Sequence, residues 1–224
     1  MWIKKSADVE VSKELEFENQ NIDKTDAYEV TITEAYLKES SDEQSKSMSL
    51  VINAETKDGD NVKTYFTVTG RDGETYFKTT HKGKEVKKQH FGLSIANSVF
   101  LMLLKQEIFD IEPAKTSFKQ WNKENKEMES CTGDGFPELI GKKVGVCVQM
   151  IKKINGKDSS QYPEIAHFFD LATGLFAEEE PSNRRKLDRW LSSAKEYKVV
   201  EEKEVKSSFG KKPEEKKQNK WSKS

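Results

Sequence analysis

Cysteine and histidine are scarce in this sequence, which contains two cysteines and three histidines in 224 residues. Two cysteines cannot build the disulfide framework of a small secreted protein, so a cytoplasmic location is expected. His81, His90 and His167 have no metal-ligand spacing relative to one another or to Cys131 and Cys147. We therefore expect neither a metal site nor another cofactor.

Long apolar runs and catalytic motifs are also absent. No apolar stretch approaches the roughly 20 residues that a membrane-spanning helix needs, and no secretory signal pattern opens the sequence. The sequence contains no G-x-x-x-x-G-K-[ST], H-E-x-x-H or G-x-S-x-G motif. These absences favour a protein that has no membrane partner and is not an enzyme.

Charged residues are as frequent as hydrophobic ones, at 34% each. This composition is polar for a compact domain and predicts one core with segments outside it. The formal net charge is −1, so binding to a polyanion would depend on local basic patches. The first 26 residues lean acidic, whereas lysine is concentrated at 81–88 and after Lys203.

Alternation of apolar and polar residues predicts β-strands, because one face of a strand is buried in a sheet with one solvated side. The pattern occurs at 27–38, 47–56, 62–69 and 142–153. A short return strand is predicted at 75–79, after the glycine turn at 70–73, and a short apolar strand at 165–170. In the strand at 62–69 the alternation places Phe66 in the core and Tyr65 on the exposed face. The segments 81–90, 112–137 and 154–162 lack it and are predicted to be loops or turns.

Two segments have helical patterns. Residues 91–108 are apolar around most of a helical circumference, which predicts a helix plugged into the core. Pro181, Ser182 and Asn183 offer an N-terminal cap for a second helix at 183–194. Three strands, a buried helix and two further strands are the order of an OB-fold.

The predicted fold is therefore mainly β within the α+β class: an OB-fold-like antiparallel barrel with a plug helix, a C-terminal helix and flexible tails. Its parts are an acidic N-terminal arm (1–26), the OB-fold-like domain (27–175, with a long loop at 112–137), a C-terminal helix and linker (176–200), and a Lys-rich disordered tail (201–224).

Aromatic rings and cations share the stretch 61–88, a mixture that single-stranded nucleic acid requires for base stacking and phosphate contact. Tyr65, together with Tyr76 or Phe77, is predicted to stack on bases. The alternative for these rings is packing beneath a neighbouring loop, which has equal weight for Phe77. The residues predicted to contact phosphates are Lys63, Arg71, Lys78, Lys82, Lys84, Lys87, Lys88 and, in the 154–162 loop, Lys157.

Trp121 is flanked by Lys119 and Lys123, and two interpretations of it remain open. The indole could stack on a base, or it could anchor the 112–137 loop on the barrel.

The segments 27–38 (AYEVTITEAYLK), 48–56, and 136–153 (FPELIGKKVGVCVQMIKK) leading into 165–170 resemble the small single-stranded-DNA-binding proteins of tailed bacteriophages. The resemblance covers roughly 26–175. It implies an OB-fold phage protein that coats exposed strands during replication, recombination or repair in the cytoplasm of an infected bacterium. Such proteins commonly end in an acidic tail that recruits replication partners, whereas this chain ends in a Lys-rich segment.

The leading hypothesis is a sequence-tolerant single-stranded-DNA-binding protein, and the alternative is a phage-encoded adaptor that holds a host or viral protein with the barrel and charged tails. The Lys-rich tail fits both hypotheses. It could contact DNA, or it could dock replication or recombination proteins through Phe209 and Trp221. The sequence leaves the oligomeric state and the choice between DNA and RNA open.

Overall fold

The structure is a computed structural model, and it describes residues 21–81, 84–122, 124–155, 158–177 and 186–201. These ranges contain two α-helices, α1 (Phe91–Leu104) and α2 (Lys186–Ser193), and two short 3-10 helices, Ile108–Asp110 and Pro137–Leu139. The strands in the same ranges are β1 (Asp26–Glu39), β2 (Met48–Glu55), β3 (Asn61–Thr67), β4 (Tyr76–His81), β5 (Lys84–Gln89), β6 (Ala114–Asn122), β7 (Glu127–Gly135), β8 (Lys143–Asn155), β9 (Asp158–Phe169) and β10 (Lys198–Glu201).

β1 is the central strand of the main sheet. It pairs antiparallel with β8 along residues 26–31 and with β2 along residues 31–39. β2 then pairs with β3, and β8 pairs with β9, both antiparallel. A bulge between Ile32 and Glu34 shifts the register of β1. The residues that face the core after the bulge are therefore not those that the alternation before it would predict.

The core lies between the sheet and α1. Val30, Ile32, Leu50 and Ile52 are buried on the inner face, as their alternation predicted. The buried residues of α1 are Leu93, Ala96, Val99, Phe100 and Met102, so the predicted plug helix is confirmed.

Two local features set the ends of α1. At its start, a Cβ on Gly92 would lie 2.6 Å from the backbone nitrogen of Thr67, so glycine is required where the helix meets β3. At its end, Lys105 has a φ of 58° and terminates the helix four residues before the predicted limit of 108.

The prediction of a mainly β, α+β fold is confirmed, with a barrel-like arrangement of the strands. β3 and β9 approach each other, since the Ile165 N–H donates to Thr64 Oγ1 at 2.9 Å. Within the described ranges no ladder of backbone hydrogen bonds joins these two strands. The arrangement is therefore open along this seam.

Three segments differ from their predictions as loops. β5 lies within 81–90, the long loop at 112–137 is the β6–β7 hairpin, and β8 and β9 extend through most of 154–162. These loop predictions are wrong for one physical reason. Apolar alternation reports a buried face, and none of these strand segments has a continuous one.

The ends of the described chain are also more ordered than predicted. Ile22 is buried and its N–H donates to the carbonyl oxygen of Asn61 at 2.9 Å, so this residue of the predicted arm is part of the core. The C-terminal helix is present as α2, and β10, which was not predicted, pairs parallel with β8. The rest of the acidic arm (1–20) and of the Lys-rich tail (202–224) lies outside the described residues.

Candidate nucleic-acid interface

The predicted binding residues fall in three places. The first is the outer face, defined here as the side of β1, β2 and β3 opposite the core. The second place is the ribbon, defined as β4 and β5, together with the separate turn just before it. The third is the covering hairpin, defined as β6 and β7. Lys82 and Lys157 lie outside the described residues.

The outer face carries one exposed ring. The bulge in β1 places Tyr36 in register with Val51, and Val51 pairs in turn with Tyr65 of β3. Tyr65 is 50% exposed, and the Lys38 Nζ lies 5.5 Å from the centroid of its ring. The predicted division between a core Phe66 and an exposed Tyr65 is confirmed.

The covering hairpin lies over the part of the outer face next to Tyr65. Phe118 of β6 stacks on Tyr36 with ring centroids 3.7 Å apart and planes within 6°. Tyr36 is consequently 1% exposed, and burial, with Tyr65 and Glu34 nearby, raises the pKa of its hydroxyl. A Cβ at Gly135 would collide with the carbonyl oxygen of Ala35, so glycine permits the close contact between β7 and β1.

Lys63 helps to attach the covering hairpin. Its Nζ lies 3.4 Å from Glu34 Oε2 and donates to the carbonyl oxygen of Lys119 at 3.3 Å. The other carboxylate oxygen of Glu34 accepts from the Lys119 N–H at 2.8 Å. Lys63 would have to leave these partners in order to meet a phosphate.

The ribbon is a separate two-stranded antiparallel sheet. No described residue of its two strands is buried. Because cross-strand partners share a face, the pairing of Lys78 with Lys87 puts these residues on the side of Tyr76. Phe77 pairs with Lys88 and lies on the opposite side, together with Lys84.

Three cations of the ribbon lack a carboxylate partner among the described residues. Lys78 lies 3.1 Å from Glu85, but no carboxylate of the described residues is within ion-pair distance of Lys84, Lys87 or Lys88. The Lys87 Nζ lies 4.1 Å from the centroid of Tyr76, and the hydrogen bond with Tyr76 raises the pKa of Lys87. The amine therefore stays charged at neutral pH.

A surface cleft of about 710 Å³ lies at the base of the ribbon. Arg71, Phe77, Lys78 and His90 are among its lining residues, and Arg71 also forms a 3.3 Å ion pair with Asp42. The ring of Phe77 is 44% exposed and lies 5.6 Å from that of His90. The structure thus brings Arg71, Tyr76, Phe77 and Lys78 together around one cleft.

Trp121 lies apart from this cleft, near the end of the covering hairpin. It is 52% exposed and stands in register with Met128, which is 54% exposed. The ring that anchors the hairpin is Phe118 rather than Trp121.

Four residues of these surfaces carried no clear sequence signal: Tyr36, Lys38, Phe118 and His90. For Phe118 the only available sign was an aromatic residue in an otherwise polar segment.

No protein-family model matches the chain, and no curated protein matches it. Among the described residues, no group of three or more histidine, cysteine, aspartate and glutamate side chains is placed to hold a metal ion. None of the described helices has the length and apolar character required to cross a membrane.

Proposed function

We propose that this protein binds single-stranded DNA without sequence preference and protects exposed strands during replication, recombination or repair. The ribbon is the observation that supports the proposal. It has no buried residue, and it carries Tyr76, Phe77 and the lysines at 78, 84, 87 and 88. Rings offer stacking surfaces and lysines offer charge for phosphates.

Tyr65 supplies a further stacking position on the outer face. Its ring is half exposed and has the amine of Lys38 beside it. Alanine substitution of such a ring typically costs about 1–3 kcal/mol of binding free energy per stacked base.

Sequence tolerance follows from the kinds of contact. Every base has a face on which a ring can stack, and every nucleotide has a phosphate. The resemblance to phage proteins, rather than the geometry, favours DNA over RNA, since rings and lysines suit both. It also favours action in the cytoplasm of an infected bacterium. The role needs binding alone, without catalysis or a cofactor.

The proposal is tested by fluorescence anisotropy with a labelled oligothymidylate, using unlabelled single-stranded and duplex competitors. We expect a strong preference for the single strand. We also expect log K to fall linearly with log salt, with a slope of about −0.7 for each neutralised phosphate. Equal competition by duplex would contradict the proposal.

The double variant Tyr65→Ala/Tyr76→Ala separates binding from folding. Because neither ring is buried, the variant should bind more weakly with an unchanged melting temperature. Unfolding of this variant would mean that the rings serve the fold.

An adaptor for a host or viral protein is the second candidate, and the exposed pair Trp121 and Met128 favours it. In that case, changing Lys82, Lys84, Lys87 and Lys88 to glutamate would leave function intact. Truncation after Lys203 would abolish it.

A further inference from the structure

A second cleft lined by aromatic rings and lysines lies at the end of α2, away from the surfaces described above. Its volume is about 510 Å³, and its lining includes Gln149, Trp190, Lys195, Tyr197 and Lys198. We call it the α2 cleft. The two rings are half-buried, whereas both lysines are exposed. Rings beside cations are the combination that single-stranded nucleic acid uses for base stacking and phosphate contact.

The α2 cleft is held on the main sheet by hydrogen bonds. The Gln149 Nε2 donates to the carbonyl oxygen of Lys195 at 2.8 Å and to Thr25 Oγ1 at 3.0 Å. The Thr25 hydroxyl donates in turn to the carbonyl oxygen of Glu196 at 2.6 Å. β10 follows this segment directly and pairs with β8. The part of the chain that carries the two lysines is therefore fixed on the sheet.

The lining of the α2 cleft favours an anion. None of the described residues that line it is acidic. No carboxylate of the described residues lies within ion-pair distance of Lys195 or Lys198. Asp188, Glu196 and Glu201 lie in or beside the same elements, but they do not line the cleft. The cleft at the base of the ribbon, by contrast, has two carboxylates in its lining.

The α2 cleft lies far from Tyr65 along the sheet. β9 occupies one edge of β8, so β1 and β10 share the other edge, and β10 continues the line of β1 beyond Asp26. Ten residues separate Asp26 from Tyr36, which is in register with Tyr65 through Val51. The β8 partners of Asp26 and Lys198 are three residues apart. At about 3.3 Å per residue, the separation along the sheet is roughly 40 Å.

We propose that the α2 cleft is a second contact for the single strand that binds the ribbon and Tyr65. The stacking residues of this contact are Trp190 and Tyr197, and its phosphate contacts are Lys195 and Lys198. The inference rests on the proposed function and adds a separate site for the same ligand. Two linked contacts raise the affinity only when one ligand spans both, so a long strand gains from the α2 cleft and a short strand does not.

The length of the strand provides the test. A strand of four nucleotides extends about 14 Å at the 3.4 Å phosphate spacing of a duplex strand, and even twice that spacing is too short to join the two sites. A strand of sixteen nucleotides extends about 54 Å at the same spacing. These two lengths bracket the sites of about 4–16 nucleotides that OB-folds bind. Anisotropy titrations of the full chain with labelled oligothymidylates of both lengths measure the difference.

The double variant Lys195→Glu/Lys198→Glu removes two of the proposed phosphate contacts. Its affinity for the sixteen-nucleotide strand should fall roughly twentyfold at 0.1 M salt, and its salt slope should fall by about 1.4. Its affinity for the four-nucleotide strand should fall by no more than about twofold, because the short strand can occupy the ribbon alone. The matched control Lys115→Glu/Lys119→Glu makes the same charge change on the covering hairpin and should keep most of the affinity for both strands.

Trp190→Ala tests the stacking contact separately. It should weaken binding of the sixteen-nucleotide strand about tenfold, the effect of one stacked base, and leave the four-nucleotide strand within about twofold. Tyr197→Phe keeps a ring in the cleft and should keep the affinity. Because Trp190 is half-buried, a melting temperature accompanies each titration. If Trp190→Ala unfolds, the exposed double lysine variant decides the test.

The failure of this inference differs from the failure of the proposed function. If the double lysine variant binds the long strand as tightly as the unchanged protein, while changing Lys84, Lys87 and Lys88 to glutamate weakens binding, the inference is overturned and the proposed function stands. If duplex competes as well as the single strand, both are overturned. If the double lysine variant weakens binding of an oligoglutamate of equal charge but not of the long strand, the cleft takes an acidic protein segment and the inference is overturned.

Discussion

The covering hairpin and the ribbon are two versions of one local structure with opposite surroundings. Both are two-stranded, antiparallel, rich in lysine and equipped with an exposed aromatic residue. The covering hairpin is held to the sheet by Phe118 on Tyr36 and by the Lys119 N–H on Glu34. The ribbon has no buried residue. Rings and lysines in a hairpin are therefore candidates for binding only where they are not already packed against, or paired with, the rest of the fold.

The largest expected effect is on DNA affinity and comes from the ribbon. Changing Lys84, Lys87 and Lys88 to glutamate removes three of the proposed phosphate contacts, which should lower the affinity for a single strand roughly a hundredfold at 0.1 M salt. The slope of log K against log salt should fall by about 2. Anisotropy titrations at several salt concentrations measure both quantities.

The matched control makes the same charge change at the exposed residues Lys115 and Lys119 of the covering hairpin and at Lys126 in the turn between its strands. This variant should keep most of the affinity. Equal losses of DNA affinity in the two variants would contradict the proposed difference between the ribbon and the covering hairpin.

The next effect is on stability and comes from the covering hairpin. Phe118→Ala removes a parallel ring contact with a buried tyrosine and should lower the free energy of unfolding by about 2 kcal/mol, less than for a fully buried phenylalanine. Phe77→Ala, on the ribbon, should change it by less than about 0.5 kcal/mol. Urea unfolding followed by far-ultraviolet circular dichroism measures both, and equal values would contradict the account.

Tyr65→Ala tests whether the outer face extends the binding surface. The variant removes one proposed stacking ring from an exposed position, so the binding free energy for a single strand should weaken by about 1–2 kcal/mol. Trp121→Ala on the covering hairpin is the control with a similarly exposed ring. If only Trp121→Ala weakens binding, the additional stacking position lies on β6 and not on β3.

Lys63→Met should act on the fold and not on binding. The lysine is paired with Glu34, whose side chain is 12% exposed, and losing such a partly buried partner costs about 1 kcal/mol of stability. Single-strand affinity should be unchanged. A loss of affinity with unchanged stability would instead support the sequence prediction that Lys63 contacts phosphate.

Arg71→Gln should have only a small effect on stability. Its ion pair with Asp42 joins side chains that are 69% and 52% exposed, and such pairs contribute less than about 1 kcal/mol. The salt slope of DNA binding should fall by about 0.7 if Arg71 meets one phosphate. An unchanged slope would exclude Arg71 from the interface.

The strands that bury one face were predictable from sequence. The alternations at 27–38, 47–56 and 142–153 coincide with β1, β2 and β8 to within two residues at each end. The alternation at 62–69 also placed Phe66 in the core and Tyr65 on the exposed face, as the structure shows. The sequence pattern and the fold agree here because both follow from the burial of alternate side chains.

The two hairpins were less predictable, because their environment is decided by tertiary contacts. Nothing local marks the bulge between Ile32 and Glu34 that puts Tyr36 on the outer face. The partners Glu34 and Lys119 are 85 positions apart, so sequence proximity could not connect them. Lys63 therefore looked like a free cation in the sequence, although the fold engages it.

Amide hydrogen exchange with and without a saturating oligothymidylate tests the central claim most directly. The account predicts that the nucleic acid slows exchange in the ribbon, at Tyr76–His81 and Lys84–Gln89, and leaves the covering hairpin unchanged. Protection confined to the covering hairpin, or no protection of the ribbon at saturation, would contradict it.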